Sequence, residues 1–242
     1  MTTNKTTKHV IVNGSVAKQV ANILTKQIIN EDYLVGEYLP TEEELCATFG
    51  IGRSSVREAI KTLESRGLVR KLQGKGVVVV DESIEATAEL LRIGLEFHKT
   101  SLRDLMDFRV ALEIKMCELA SIRATDEQID QMQKYITAMK QSNQTMEEFA
   151  QFDYLFHESI ANASGNSVVI LMIKTLRPLL YNQIVYTLNP NFNAEFSMHL
   201  HEKIFLAIKE RKTRGAIRAM REHLYETQRI IAELEAEPIT QI

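Results

Sequence analysis

The sequence lacks most features of membrane-spanning and secreted proteins. Its longest apolar run, Val168 to Ile173, is far shorter than the roughly 20 residues that a membrane helix needs. The segment from Thr2 to Lys8 has no apolar core of the kind that a signal peptide contains. The two cysteines, Cys46 and Cys117, are too few for a disulfide framework and do not have a metal-binding spacing. We therefore expect a cytoplasmic protein without a membrane partner.

The chain also lacks a large net charge, but its basic residues are unevenly distributed. The formal net charge is −3, so any binding to nucleic acid has to come from a local patch. Residues 53–75 hold seven Lys or Arg against two acids, whereas residues 31–44 hold six acids and no base. Basic side chains gathered on a short segment form an electrostatic footprint for phosphate.

The first third of the chain has the pattern of a small DNA-binding domain. After a tail over residues 1–14, apolar residues at helical spacing predict a first helix from Ser15. Thr41 and Glu44 have the spacing of a capping box for a second, short helix, which Gly50 ends. A third helix over 53–66 and a β-hairpin over 68–80 follow. This order predicts a winged helix-turn-helix over residues 15–80.

The rest of the chain reads as an all-α bundle. Residues 81–83 are a predicted linker, residues 84–235 form the bundle, and residues 236–242 are a predicted tail. Capping boxes are predicted at Ser101, Thr125 and Thr145, and Pro178 should kink the helix that contains it. The pattern predicts about seven helices, over residues 84–97, 101–121, 126–142, 146–163, 167–187, 194–210 and 213–235.

The third helix is the predicted recognition helix. Arg53 and Arg57 lie one turn apart and can reach guanine edges in a major groove. Ser54 and Ser55 lie at the helix start, where free N–H groups favour phosphate. Lys75 at the hairpin tip can reach a phosphate or the minor groove. The alternative is a solvated amphipathic helix without a DNA role, which the neighbouring turn and wing make less favourable.

Three motifs in this domain carry a family resemblance: Gly36-x-x-Leu39-Pro40-x-Glu42-x-Glu44-Leu45; Phe49-Gly50-Ile51-x-Arg53-x-x-Val56-Arg57-Glu58-Ala59-Ile60-x-x-Leu63; and Gly67-Leu68-Val69 with Gly74-x-Gly76. Together they resemble the N-terminal domain of the GntR family of bacterial transcription regulators. The resemblance implies a homodimer that reads palindromic double-stranded operators, with contacts from Arg53, Ser54, Ser55, Arg57 and from Gln73 and Gly74 in the wing. Glu43 stands where the family often has arginine, so no contact is assigned there.

A second group of residues suggests a metal site. Asp153 and His157 lie one turn apart, and His201 and His223 lie on the inward faces of two other helices. Three imidazoles and a carboxylate suit zinc, nickel, manganese or iron. The alternative is a set of hydrogen-bonded core histidines, which is the usual role of a single histidine on an apolar face.

Further motifs carry a second resemblance: Arg109-x-x-Leu112-Glu113; Asp153-x-x-Phe156-His157-x-x-Ile160-x-x-Ala163-x-x-Asn166; His201-x-x-Ile204-x-x-Ala207-Ile208; and Ala219-Met220-x-x-His223-Leu224. They resemble the FCD ligand-binding domain of the FadR subfamily. The resemblance implies a divalent metal, zinc before the others, at Asp153, His157, His201 and His223, with a small organic acid or sugar acid beside it. Arg109 is a candidate effector contact or simply a partner of Glu113. Asn166 is a weaker candidate and a good helix cap.

The family resemblance implies a repressor whose effector weakens operator binding. Two alternatives stay open. One is a regulator for which the metal itself is the signal. The other is a metal-dependent hydrolase with Glu113 as general base; the helical domain has no Ser–His–Asp signature, and a fused DNA-binding domain would be unexplained. We therefore predict that the protein is not an enzyme.

Overall fold

The computed structural model describes residues 15–141, 145–188 and 193–236. The predicted tail 1–14, most of the predicted tail 236–242 and the end of the predicted helix 126–142 lie outside these residues. Contacts divide the chain into two compact units between Leu90 and Leu91. The division falls inside a helix, beyond the predicted linker 81–83.

The first unit is a winged helix-turn-helix, as predicted. Its elements are α1 (Val16–Ile29), α2 (Glu42–Phe49), α3 (Arg53–Ser65), β1 (Val69–Leu72) and β2 (Gly76–Val79). The two strands pair antiparallel, with Val69 opposite Val79 and Leu72 opposite Gly76. A shared core lies between the helices and the hairpin, and its members include Leu24, Leu45, Val56, Leu63 and Val79.

Local chemistry explains where these helices begin and end. Thr41 Oγ1 accepts a hydrogen bond from the Glu44 backbone N–H at 3.2 Å, while Glu44 Oε2 accepts from the Thr41 backbone N–H at 2.8 Å, which confirms the capping box. Gly50 ends α2 with a φ of 65°, a left-handed conformation that favours glycine. Ser15 precedes α1 but makes no side-chain capping bond.

The second unit is an all-α bundle around one core. Helix α4 (Ser83–Phe97) spans the division, and seven helices follow it: α5 (Leu102–Arg123), α6 (Asp126–Met139), α7 (Met146–Ala163), α8 (Ser167–Thr175), α9 (Arg177–Thr187), α10 (Ala194–Lys209) and α11 (Thr213–Ala236). The three predicted capping boxes, at Ser101, Thr125 and Thr145, are all formed. Asn166 and Asn193 cap α8 and α10.

One predicted helix is wrong. The pattern predicted a single helix over 167–187 with a kink at Pro178, but the structure has α8 and α9 meeting at an angle of 60°. The break comes at Leu176, and Pro178 lies in the first turn of α9. Proline is tolerated there because a first-turn N–H has no partner within the helix. The bundle region therefore has eight helices within the described residues, rather than about seven.

No helix in the described segments is, alone, long and apolar enough to cross a membrane. The bent pair α8 and α9 meets that test of length and composition only when the two helices are taken together.

Candidate DNA interface and metal centre

Helix α3 has one buried face and one basic, exposed face. Val56, Ala59 and Leu63 are completely buried, and burial of a valine or leucine side chain contributes about 2 kcal/mol to stability. On the other face, Arg53, Ser54 and Arg57 are exposed and Ser55 is half-buried. Gly52 precedes the helix and has no side chain that could cap it, so N–H groups of the first turn can bind phosphate.

Arg57 is oriented by a carboxylate on the neighbouring helix. Its Nε donates to Glu42 Oε2 at 2.8 Å, and the other oxygen of Glu42 lies 3.4 Å from Lys71 Nζ. The hydrogen bond from Arg57 is the main reason why the pKa of Glu42 lies below its ordinary value. Glu42 thus connects α2, α3 and β1, and it holds Nε of Arg57.

The wing tip is built by glycines in left-handed conformations. Gly74 has a φ of 72° and Gly76 a φ of 110°, which L-residues with a Cβ rarely adopt. Gln73 and Lys75 beside them are exposed. Glu43, which stands where the family often has arginine, is exposed on α2. The unit therefore presents the seven predicted DNA-contacting residues on its surface, except that Ser55 is half-buried.

The second unit brings three histidines together in its core. His157 comes from α7, His201 from α10 and His223 from α11, and all three are buried. One ring nitrogen from each lies within 4.8 Å of the others. Histidines separated so widely in sequence meet because α10 and α11 pack on the helices that surround α7.

Asp153 completes the group. It precedes His157 by one helical turn, and its Oδ1 lies 3.6 Å from Nε2 of His157. Its other oxygen, Oδ2, lies 3.2 Å from Nε2 of His201. The structure therefore brings together all four residues of the predicted metal set.

A further layer of hydrogen bonds orients these rings. Nδ1 of His157 bonds to Oε2 of Glu113, and Nδ1 of His201 lies 2.9 Å from the backbone oxygen of Ser197, to which it donates. Because each Nδ1 is used in this way, the Nε2 atoms face the centre. Ring orientation by an outer carboxylate or carbonyl is typical of metal-binding histidines.

Glu113 is itself held by a buried arginine. Nε of Arg109 donates to Glu113 Oε1 at 2.7 Å, and Nη1 of Arg109 donates to Gln183 Oε1 at 2.8 Å. Burial raises the pKa of Glu113, but Arg109 and His157 outweigh this and lower it to about 2. Arg109 therefore forms the ion pair with Glu113, which is one of the two roles that the sequence suggested for it.

The protonation states suit a metal. Burial raises the pKa of Asp153, but His201 and His157 outweigh this and keep it below its ordinary value. Burial and the nearby positive groups push the pKa of His223 well below its ordinary value of 6.5. An ionised carboxylate and a neutral imidazole are the forms that bind metal ions.

Unsatisfied polar atoms test whether a cation fits. Among the described residues, Asp153 Oδ1, His157 Nε2 and His201 Nε2 are buried and make no well-directed hydrogen bond, although Asp153 Oδ2 lies 3.2 Å from His201 Nε2. Such atoms are costly, and a buried group of them requires an explanation. These three atoms converge on one point, where a single divalent cation would contact all of them.

A cavity of about 150 Å³ opens beside this centre. Arg109, Asp153 and His223 line its inner part, and Glu226, Arg229 and Glu233 of α11 also line it. Asn166 is not among the lining residues; its Oδ1 accepts hydrogen bonds from the first-turn N–H groups of α8. The structure thus places Arg109 at the cavity and Asn166 at a helix cap.

Two residues of the outer layer were missed in the sequence. Gln183 lies 74 positions from Arg109, with which it pairs, and no local motif connects them. Ser197 contributes only its backbone oxygen, which any residue could supply. Glu113 was visible because it follows Arg109 by four residues, but its bond to His157 was not.

Two family models match the sequence. The model described as "Bacterial regulatory proteins, gntR family" covers residues 16–79, which contain α1 to β2. The model described as "FCD domain" covers residues 104–226, which contain Arg109 and the four residues of the metal set.

Characterised proteins are similar over most of their length. The Glc operon transcriptional activator of Escherichia coli strain K12 is 28% identical over 233 residues, which are 92% of this chain and 91% of that protein. The HTH-type transcriptional repressor NanR of the same strain is 30% identical over 224 residues, 88% of this chain and 83% of that protein. The solved structure of Streptococcus agalactiae GntR has a TM-score of 0.72 and 27% identity, and covers 88% of this chain and 99% of its own.

Proposed function

Because the chain belongs to the GntR family of bacterial regulatory proteins and carries an FCD domain, we propose that it is a repressor whose operator affinity is controlled by a small carboxylate bound beside a divalent cation. As a family member it is a DNA-binding transcription regulator with an effector-binding domain. The observation that carries the finer proposal is the buried group of three histidines and one aspartate, which opens onto a cavity lined by Arg109.

The DNA side of the proposal is a homodimer on a palindrome. Two copies of the first unit, related by a two-fold axis, would each place α3 in a major groove and the wing beside it. Arg53 and Arg57 would read base edges, while the other side chains position the protein on the phosphates. The proposed contacts are Arg53, Ser54, Ser55, Arg57, Gln73, Gly74 and Lys75.

Asp153, His157, His201 and His223 would hold the cation. Nitrogen-rich sites with one carboxylate suit zinc best, and nickel, manganese and iron are the other candidates. When bound, the cation supplies a positive charge that attracts an anionic effector. Glu113 and the backbone of Ser197 keep His157 and His201 oriented towards it.

The cavity limits the size and charge of the effector. An enclosed cavity of about 150 Å³ holds a molecule of roughly six non-hydrogen atoms. Because this cavity is open on its outer side, a somewhat larger acid can extend outwards, and the volume favours a short organic acid over a larger sugar acid. Arg109 uses Nε for Glu113 and Nη1 for Gln183, and its planar guanidinium can still direct Nη2 at a carboxylate.

Effector binding can change operator affinity only if it favours one arrangement of the two DNA-binding units over another. In our proposal the acid favours an arrangement in which the spacing between the two winged helix-turn-helix domains of the dimer no longer matches two half-sites. The protein then releases DNA. Because the two similar E. coli proteins are named as an activator and as a repressor, the titration of operator DNA also measures the direction of the effect.

The hydrolase alternative loses its candidate base. Glu113 would have to accept a proton from water, yet both of its oxygens are engaged by Arg109 and His157 and its pKa is about 2. A carboxylate with so low a pKa is a poor general base near neutral pH. The cavity beside the centre also favours an organic effector over a metal that signals alone.

Operator binding by the full-length protein tests this function. The protein would be stripped with a chelator, reloaded with zinc, and titrated into a fragment of its own promoter with and without a panel of short carboxylic acids. We expect tighter binding to the palindromic site than to scrambled DNA, and at least one acid that weakens it only in the zinc-loaded protein. If zinc alone controlled affinity and no acid had an effect, the metal-sensor alternative would replace the proposal.

A further inference from the structure

The outer part of the cavity is lined by three charged residues of one helix. Glu226, Arg229 and Glu233 lie on successive turns of α11 and all contribute to the cavity wall. Nε of Arg229 donates to Glu226 Oε2 at 3.0 Å, and its Nη2 donates to Glu226 Oε1 at 2.5 Å. Its remaining nitrogen, Nη1, donates to Glu233. All three nitrogens of this guanidinium are therefore engaged by protein carboxylates.

These three residues, which we call the acidic rim, have a net charge of −1, because two glutamates surround one arginine. Contact with Arg229 lowers the pKa of Glu226 below its ordinary value, so Glu226 stays ionised near neutral pH. The rim thus offers no free cation to a ligand that reaches it.

The inner part of the cavity has the opposite sign in the metal-loaded protein. Arg109 and Glu113 neutralise each other across a 2.7 Å ion pair. Asp153 offsets one of the two charges of a bound divalent cation, and a histidine that coordinates a metal does so as a neutral imidazole. One positive charge remains at the inner end, which matches one carboxylate.

We propose that the acidic rim of Glu226, Arg229 and Glu233 restricts the effector to short monocarboxylates and disfavours dicarboxylates. This inference rests on the proposed function, because it concerns an acid bound at the metal centre. The single carboxylate lies at the inner end. The uncharged remainder of the ligand faces the rim, beside Thr187, Thr227 and the apolar side chains of Ile184 and Ile230.

Solvent limits the size of this discrimination. The side chains of Arg229 and Glu233 are 56% and 61% exposed, whereas that of Glu226 is 22% exposed. Charges about 4 Å apart in a water-like environment interact weakly, so the expected preference is about fivefold. Glu226, as the less exposed of the two glutamates, should contribute more than Glu233.

Calorimetry with matched acids tests the inference. The zinc-loaded full-length protein would be titrated with butyrate and succinate, which share a four-carbon chain, and with 2-hydroxybutyrate and malate as a second pair. We expect each monoacid to bind about five times more tightly than its diacid at low ionic strength. The preference should shrink in 0.5 M salt, because screening weakens a charge effect; a purely steric exclusion of the second carboxylate would not respond to salt.

Two variants that remove negative charge from α11 test whether the preference comes from the acidic rim or from the helix as a whole. In Glu226→Gln with Glu233→Gln, Arg229 loses both carboxylates, so the diacid should bind as tightly as the monoacid or more tightly. Glu222→Gln is the matched control, because Glu222 lies on the same helix and pairs with Lys203 at 3.1 Å without lining the cavity. It should leave the preference unchanged.

The possible failures are distinct. If the diacids bind the wild-type protein as tightly as the monoacids, or if the preference survives in the double variant, the rim does not select and this inference is wrong, while the proposed function stands. If none of the four acids binds the zinc-loaded protein and no other short acid does, both the inference and the proposed function are overturned.

Discussion

Glu113 of α5 and His157 of α7 are joined by a buried hydrogen bond between the carboxylate and Nδ1 of the imidazole. This bond orients Nε2 of His157 towards Asp153 and the other two histidines. Glu113 is not part of the four-residue set, yet it determines where one member of that set points.

Replacing Glu113 by glutamine should weaken metal binding without removing it. Outer residues of this kind typically change metal affinity by about 10- to 100-fold, because the ring is less well oriented and less basic. Competition between the protein and a zinc-binding dye would measure the change. Glu118→Gln on the same helix is the control, since Glu118 pairs with the exposed Lys115 at 3.0 Å. Equal zinc affinity in both variants would show that the bond to His157 has no such role.

The double variant His157→Ala with His201→Ala should lose stoichiometric metal. In the wild-type protein, zinc at about 100 times its Kd should stabilise the folded state by about 2.7 kcal/mol, and the variant should show no such shift in Tm. His199→Ala, at an exposed position of α10, should behave like wild type. Metal analysis and circular dichroism would check content and fold. Unchanged metal content in the double variant would eliminate the proposed centre.

The stability of the metal-free protein should fall in two steps as the pH is lowered. The pKa of His223 is depressed below 6.5, so the unfolded chain binds its proton first, and this contribution declines as the pH falls below about 6.5. Glu113 has a folded pKa of about 2 against an ordinary 4.5, so its contribution is present above pH 4.5 and declines between about 4.5 and 2. Urea denaturation at a series of pH values would measure both steps.

The first step is the one that can be assigned by substitution. In His223→Gln the decline below pH 6.5 should become shallower by up to one proton, or about 1.4 kcal/mol per pH unit. The later decline should remain, because Glu113 is untouched. A variant with the same slope as wild type in both ranges would show that His223 is not held neutral.

Arg53→Ala and Lys75→Ala should weaken DNA binding in different ways. Loss of Arg53 should reduce selectivity for the operator over scrambled DNA, at a cost of about 1–3 kcal/mol for the correct site. Loss of Lys75 should weaken binding to all sequences and lower the salt dependence by about one charge. Fluorescence anisotropy at several salt concentrations would measure both, and identical behaviour on both kinds of DNA would refute the distinction.

Glu42→Gln should make binding tighter but less selective. In the wild-type protein, Arg57 and Lys71 lie 2.8 and 3.4 Å from the Glu42 carboxylate. The substitution removes this negative charge near the DNA-facing surface and releases both basic side chains. General affinity should rise, while the ratio of operator to scrambled affinity should fall because Arg57 is no longer held in one orientation. The same substitution at Glu64, whose carboxylate accepts a hydrogen bond from a backbone N–H, is the comparison variant. An unchanged ratio would show that Glu42 does not position Arg57.

Much of the fold could be predicted because its signals are local. The capping boxes at Ser101, Thr125 and Thr145 depend on residues three positions apart, and the turn at Gly50 depends on one backbone conformation. The break between α8 and α9 was missed because Pro178 was expected to kink a helix, whereas it occupies a first turn.

The site was only partly predictable for a related reason. Asp153 and His157 share a helical face, so their proximity follows from helix geometry, and His201 and His223 were recognisable on inward faces. The bonds of Arg109 to Gln183 and of His157 to Glu113 join distant segments, and the cavity depends on how five helices pack. Neither these two bonds nor the cavity can be predicted from the spacing of residues along the chain.

The three imidazoles come from helices that are far apart in the sequence, and no disulfide joins Cys46 to Cys117 in the described chain. A cation shared by α7, α10 and α11 would therefore act as a removable cross-link that closes two long loops of the unfolded chain. Chelation or acid would remove this cross-link without cleaving any bond of the polypeptide chain. The rigidity of the bundle would then depend on the supply of a trace element as well as on the concentration of a metabolite.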